Sequence, residues 1–191
     1  VSPILDITSA INELSFVKEI HIVAVNNDVK ELLFLLKKDY AKEIKIKAIN
    51  FSKKEVIKFS FIYNSEIVSK YDLPLAYLYE PNAAILKSGG FHQVTSNFDV
   101  YKLHQHSHLY TSNSLISFPG RSFKVNAIMS YDKKKIRKVI KDGKANITTR
   151  NFPKTVALIR KELKLKDGGT SYLFFTTNLN NEFICILCEK A

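Results

Sequence analysis

The last 71 residues alternate strand and helix signals so regularly that few folds can accommodate them. Phe123 to Ser130 reads as a strand, Asp132 as the cap of a helix, and Gly143 as its stop. Ala145 to Thr149 is the next strand. Pro153 then opens a second helix over Val156, Ile159 and Leu163, which Gly168-Gly169 ends. Ser171 to Thr177 and Glu182 to Cys188 form a closing hairpin around Asn178-Leu179-Asn180-Asn181. The order β-α-β-α-β-β predicts a small α+β sandwich with two helices on one sheet.

Charge singles out the same stretch. Residues 121–191 hold 16 Lys+Arg against 6 Asp+Glu, whereas residues 1–120 hold 13 against 12, together giving the net +11. With Ile136, Val139 and Ile140 turned inward, Lys133, Lys134, Arg137, Lys138 and Lys141 fan across the outer surface of the first helix. The second helix exposes Lys154, Arg160, Lys161 and Lys164 in the same way. A concentrated cationic face implies an anionic partner, and phosphate contacts give nucleic-acid affinity with little sequence preference. The residues expected to touch nucleic-acid phosphates are Arg121, Lys133, Lys134, Arg137, Lys138, Arg150, Arg160 and Lys161. A solvated face that serves only solubility is the alternative, but a mixed-sign surface would do that better.

Upstream, Ile20 to Val25 is a β-branched apolar run that reads as a buried strand. Val29 to Leu36 after it fits a helix or the returning strand of a hairpin, and Asn26-Asn27 between two apolar runs favours the hairpin. Ile44 to Ile49 alternates, Val56 to Tyr63 is its partner, and Ser9 to Phe16 is a short helix before them. Leu78 to Pro81 ends a strand. Asn82 caps a helix over Ala83 to Lys87 that Gly89-Gly90 stops, and a strand is expected from Tyr101 to Tyr110.

Three local patterns invite specific chemistry. His104, His106 and His108 would share one face of a strand and converge on a metal, although no carboxylate partner is nearby and no metal site is assigned. Cys185 and Cys188 have CxxC spacing, but positions i and i+3 of a strand face opposite ways, and no second pair completes four ligands. They read as ordinary small core or edge residues. Tyr172, Phe174, Phe175 and Phe183 offer either stacking surfaces for unpaired bases or core rings, and the core is the expected place. No glycine-rich nucleotide loop, GxSxG or HExxH occurs, so the chain shows no complete active-site signature. Two cysteines and no apolar run near ~18 residues point to a cytoplasmic protein without a disulfide framework or membrane span. A start at Val1 reads as a fragment of a longer polypeptide.

Three stretches carry a family resemblance. They are Tyr77 to Gly89 (YLYEPNAAILKSG), His108 to Ser112 with Phe118-Pro119-Gly120-Arg121, and Ile147 to Pro153 with Leu158 to Gly169. In this order they resemble the C-terminal part of bacterial, Bacteroidetes-type class I S-adenosylmethionine-dependent methyltransferases with a THUMP-like domain. The resemblance implies a mixed α+β chain in three parts. Residues 1–72 would end a Rossmann-like methyltransferase sheet, 73–120 would be a ferredoxin-like segment, and 121–191 a THUMP-like basic module. It implies RNA, in particular tRNA, as partner, together with the catalytic region upstream of Val1. S-adenosylmethionine would serve the full-length protein, with no cofactor expected on this fragment and no activity from it alone. Val1-Ser2-Pro3-Ile4-Leu5-Asp6 resembles the family's SPMLD turn, which makes Ser2 and Asp6 candidates near the methyl acceptor. The competing reading is an assembly domain that packs on the catalytic half or on an acidic protein.

Overall fold

The computed structural model describes all 191 residues. They form a mixed α+β protein of two compact units, Val1–Val68 with Pro81–Asn97, and Ser69–Glu80 with Phe98–Ala191. No helix is long and apolar enough to cross a membrane.

In the first unit, Asp6 caps α1 (Ile7–Glu13) by accepting the Ser9 amide at 2.8 Å. Strands β1 (Val17–Val25), β2 (Asp28–Leu36), β3 (Lys45–Phe51) and β4 (Val56–Ile62) make a sheet of order β2-β1-β3-β4. Only β1 and β3 run parallel. The Asn-Asn hairpin forms as expected. Asn26 and Asn27 adopt φ of 50° and 65°, the paired left-handed geometry that matches strand twist and that asparagine tolerates. Asn27 also fastens this turn, donating its amide to Asn50 Oδ1 and accepting the Ala83 amide on its side chain.

Register separates the two faces of this sheet. Ile20, Ile22, Ala24, Leu32, Ile46, Ala48 and Phe59 are buried on one side, under α2 (Ala83–Ser88). Asn82 caps α2 and Gly89 ends it at φ 74°, both as expected. Gly90 has no such conformational demand; a Cβ there would come within 2.5 Å of the Phe61 ring. Helix α3 (Phe91–Asn97) follows directly. The opposite face carries Leu33, Leu35, Val25, Phe51 and Val56 in the open. Among them a polar trio is set, in which Glu19 binds His21 Nε2 at 2.9 Å and Lys47 Nζ at 2.6 Å.

The second unit is one seven-stranded sheet. It contains β5 (Tyr77–Pro81), β6 (Tyr101–Lys102), β7 (Tyr110–Ser112), β8 (Gly120–Ser130), β9 (Asn146–Arg150), β10 (Tyr172–Thr177) and β11 (Phe183–Lys190), in the order β6-β7-β5-β8-β11-β10-β9. Helices α4 (Lys133–Val139) and α5 (Val156–Leu163) complete the β-α-β-α-β-β module read from the sequence. They cover one face with Ile136, Ile140, Ile159 and Leu163, which pack on Ile147, Leu173, Phe175 and Cys185. The other face buries Leu78, Leu103, Leu109, Phe123, Phe174, Ile184, Ile186 and Cys188. The closing hairpin is thus buried on both sides, and its continuous apolar sequence follows from that.

Several expectations need correction here. Val139 is 41% exposed because α4 ends there, and only Ile136 and Ile140 turn inward. Helix α5 begins after its cap Thr155 and stops at Lys164, before Gly168-Gly169. Lys164 takes the left-handed φ of 53° itself. The strand expected over Tyr101–Tyr110 is two short strands, β6 and β7, joined by a turn.

Candidate nucleic-acid interface

Cations on the second unit divide into those already satisfied by protein groups and those left to solvent. Glu80, at the end of β5, has a side chain only 6% exposed. Its Oε2 accepts Nε (2.8 Å) and Nη2 of Arg121, and its Oε1 accepts Nε (3.1 Å) and Nη2 (2.8 Å) of Arg150. Arg121 opens β8 and Arg150 closes β9, which lies four places from β5 in the sheet. A flat sheet would put β5 and β9 about 19 Å apart, beyond the joint reach of the two side chains, so the sheet coils round this carboxylate. The Arg121 guanidinium carbon also lies 5.4 Å from the Phe123 ring centroid.

The other predicted contacts fall on α4 and α5 and their flanks. Lys133 shares Glu162 with Lys154, at 3.2 and 2.8 Å, and Tyr131 donates its hydroxyl to the same carboxylate at 2.6 Å. Those donors, Lys154 and Tyr131 foremost, hold the Glu162 carboxyl down at about 2. Arg137 meets no acid. Its guanidinium donates to the Glu162 and Leu163 carbonyls at 2.6 and 3.1 Å, where α5 leaves carbonyls unsatisfied. Arg160 pairs with Asp167 and reaches the Ala145 carbonyl. Lys134, Lys138 and Lys161 are exposed and lack an acidic partner, as are Lys135, Lys141, Lys144, Lys164 and Lys166 around them. Every predicted arginine is therefore engaged by protein and Lys133 is paired with Glu162, while Lys134, Lys138 and Lys161 make no ion pair.

The histidine run is not a strand, so three imidazoles do not share one face. His104 instead accepts the His106 amide (3.1 Å) and the Asn151 side-chain amide (3.0 Å) on Nδ1, and reaches Asn181 Oδ1 (3.0 Å) with Nε2. One imidazole protonated at Nε2 satisfies all three, which is a turn lock rather than a metal ligand. No group of three or more His, Cys, Asp or Glu side chains is placed to hold a metal ion. Cys185 and Cys188 lie in the cores of opposite faces, and burial pushes both thiols up, Cys188 to about 12. Phe174 and Phe175 are core rings, whereas Phe183 is 50% exposed.

Ser2 and Asp6 lie in the first unit. Ser2 Oγ accepts the Ile4 amide in an exposed turn. Asp6 both caps α1 and lines a cleft of about 380 Å³ with Lys87, Ser65, Gln93 and Tyr63. Helix capping, chiefly the Ser9 amide, holds its carboxyl below the usual range.

Comparison with known proteins adds to this geometry. A crystal structure described as "putative methyltransferase from Porphyromonas gingivalis W83" superposes with a TM-score of 0.90 at 35% identity over 100% of this chain and 50% of that one. The chain thus spans about half the length of that protein. Among curated proteins none matches. Residues 77–119 match a ferredoxin-like domain family, and residues 120–190, which carry the free lysines, match a family described as THUMP domain-like.

Proposed function

We propose that this chain is the C-terminal, RNA-binding part of an RNA methyltransferase, with tRNA as the substrate class. Its THUMP-like module would hold the substrate for a catalytic site elsewhere in the longer polypeptide. The observation that carries this reading is the set of free lysines Lys134, Lys138 and Lys161 on a module of THUMP-like kind. Binding through such a face converts a diffusive encounter into local delivery to the catalytic centre. Residues 1–72 would close the Rossmann-like sheet of that catalytic half.

Methyl transfer would draw on S-adenosylmethionine in the full-length protein. The residues present here do not fit such a cofactor. Gly89 is spent on the α2 cap, Gly90 on close packing against Phe61, and Asp6 on the α1 cap. No chemical step is therefore assigned to this chain's residues.

The test is fluorescence anisotropy with tRNA against rising salt. About five phosphate contacts on single-stranded RNA give a log–log slope of roughly −3 to −4. A slope near zero, or equal affinity for an acidic polypeptide, would overturn the proposal.

A second reading, assembly, has its own observation in the bare face of the first unit's sheet. Apolar side chains gathered on one exposed face mark a surface for association. Here Leu33, Leu35, Phe51 and Val56 lie open on one. A helical apolar surface from a catalytic half would cover them, and the Porphyromonas gingivalis protein has a further half without counterpart in this chain. The two readings are compatible, since they use different units.

A further inference from the structure

The geometry points to Arg121 and Arg150 as a preset two-guanidinium seat for one phosphate group, with Glu80 as the residue that positions it. This rests on the RNA-binding reading above and names where, beyond the lysine face, a phosphate is held in fixed geometry.

Four observations lead there. Arg121 and Arg150 lie 41 and 70 residues from Glu80 in sequence, yet the fold brings both guanidiniums onto its one carboxylate. Each arginine spends only Nε and Nη2 on Glu80, and Nη1 of each has no protein partner. The carboxylate is 6% exposed while the arginine side chains are 48% and 36% exposed, so the anion is hidden and the cations face solvent. Finally, the Arg121 guanidinium carbon lies 5.4 Å from the Phe123 ring centroid, within cation–π range.

Two guanidiniums on one carboxylate leave a net charge of +1, and their side chains are already ordered before any ligand arrives. Guanidinium forks match phosphate oxygens in two-point geometry, which an ammonium does not. The ordering entropy that a free lysine loses on binding is here largely lost on folding.

The experiment compares wild type with Glu80→Gln, Arg121→Lys and Arg150→Lys in anisotropy titrations, after circular dichroism has shown each variant folded. The probes are one RNA oligonucleotide with a 5′-phosphate and the same sequence with a 5′-hydroxyl. A seat predicts about tenfold weaker binding for each lysine variant although charge is unchanged. It also predicts weaker binding for Glu80→Gln although a negative charge has been removed. Loss confined to the 5′-phosphate probe identifies a terminal phosphate as the occupant, and equal loss with both identifies the backbone. If Glu80→Gln binds as well as or better than wild type, and the lysine variants are unchanged, the cluster is a structural pin and the proposal is overturned. Should wild type bind neither probe, it is the RNA-binding reading that fails.

Discussion

Two cationic regions of the second unit show opposite uses of the same charge. At Glu80, two arginines converge on one hidden carboxylate and tie β5 to β8 and β9. On α4 and α5 most lysines point to solvent, and the one acid that ion-pairs with lysine there, Glu162, is shared by Lys133 and Lys154. Guanidinium is planar, weakly hydrated and able to satisfy several acceptors, so it suits fixed positions in a fold. Ammonium on a flexible stem suits a surface that meets phosphates in many registers. Net charge alone therefore does not describe the interface, because Glu80 offsets one cation of the arginine pair and holds both in fixed positions.

The strongest way to break this comparison is to empty the arginine cluster. Glu80→Ala should destabilise the chain by about 2–3 kcal/mol, below the ~3–5 kcal/mol of a fully buried pair because the arginines keep solvent contact. Urea denaturation measures it, and a change under about 0.5 kcal/mol would show that the carboxylate does not organise the sheet. Next in size is the lysine face. Replacing Lys134, Lys138 and Lys161 together by Gln should leave stability within about 0.5 kcal/mol and flatten the log–log salt slope for RNA by about 2. An unchanged slope would place the contacts elsewhere.

Acid titration sharpens the contrast further. Glu162 is held at about 2 in the folded chain against 4.5 for the free group. A depressed folded value means its stabilisation is complete above about 4.5 and is lost as pH falls toward 2. Glu162→Gln should therefore lower stability at neutral pH and flatten the acid limb between those values in pH-dependent denaturation. Glu19, held at about 2 by Lys47 and His21, should behave alike in the first unit. The smallest effect belongs to Lys124→Ala. Its pair with Glu189 is 3.6 Å apart with both side chains more than half exposed, so a change of no more than about 0.5 kcal/mol is expected.

Local chemistry explains which features could be read from the sequence. The Asn26-Asn27 hairpin, the Asn82 and Asp132 caps and the β-α-β-α-β-β order depend on neighbours a few residues apart, and each appears in the structure. Helix α3 was not legible because HQVTSN has neither helical apolar spacing nor a strong former at most positions. The end of α5 was misplaced because lysine, not glycine, takes the left-handed turn. The lysine half of the candidate interface follows from helical periodicity. The arginine half does not: Glu80 lies 41 residues from Arg121 and 70 from Arg150 in sequence, and only the coiling of the sheet reveals that they meet.

That coiled sheet has a consequence for anyone dividing the chain. The family matches meet between residues 119 and 120, yet β5 to β7 and β8 to β11 share a single sheet. An excised THUMP-like piece would uncover Phe123, Phe174, Ile184 and Ile186 and strip Arg121 and Arg150 of their common acid. Such a fragment should be sticky, aggregation-prone and misleadingly cationic, and a cut before Ser69 would in turn part α2 and α3 from the first unit's sheet, so the chain is best kept whole.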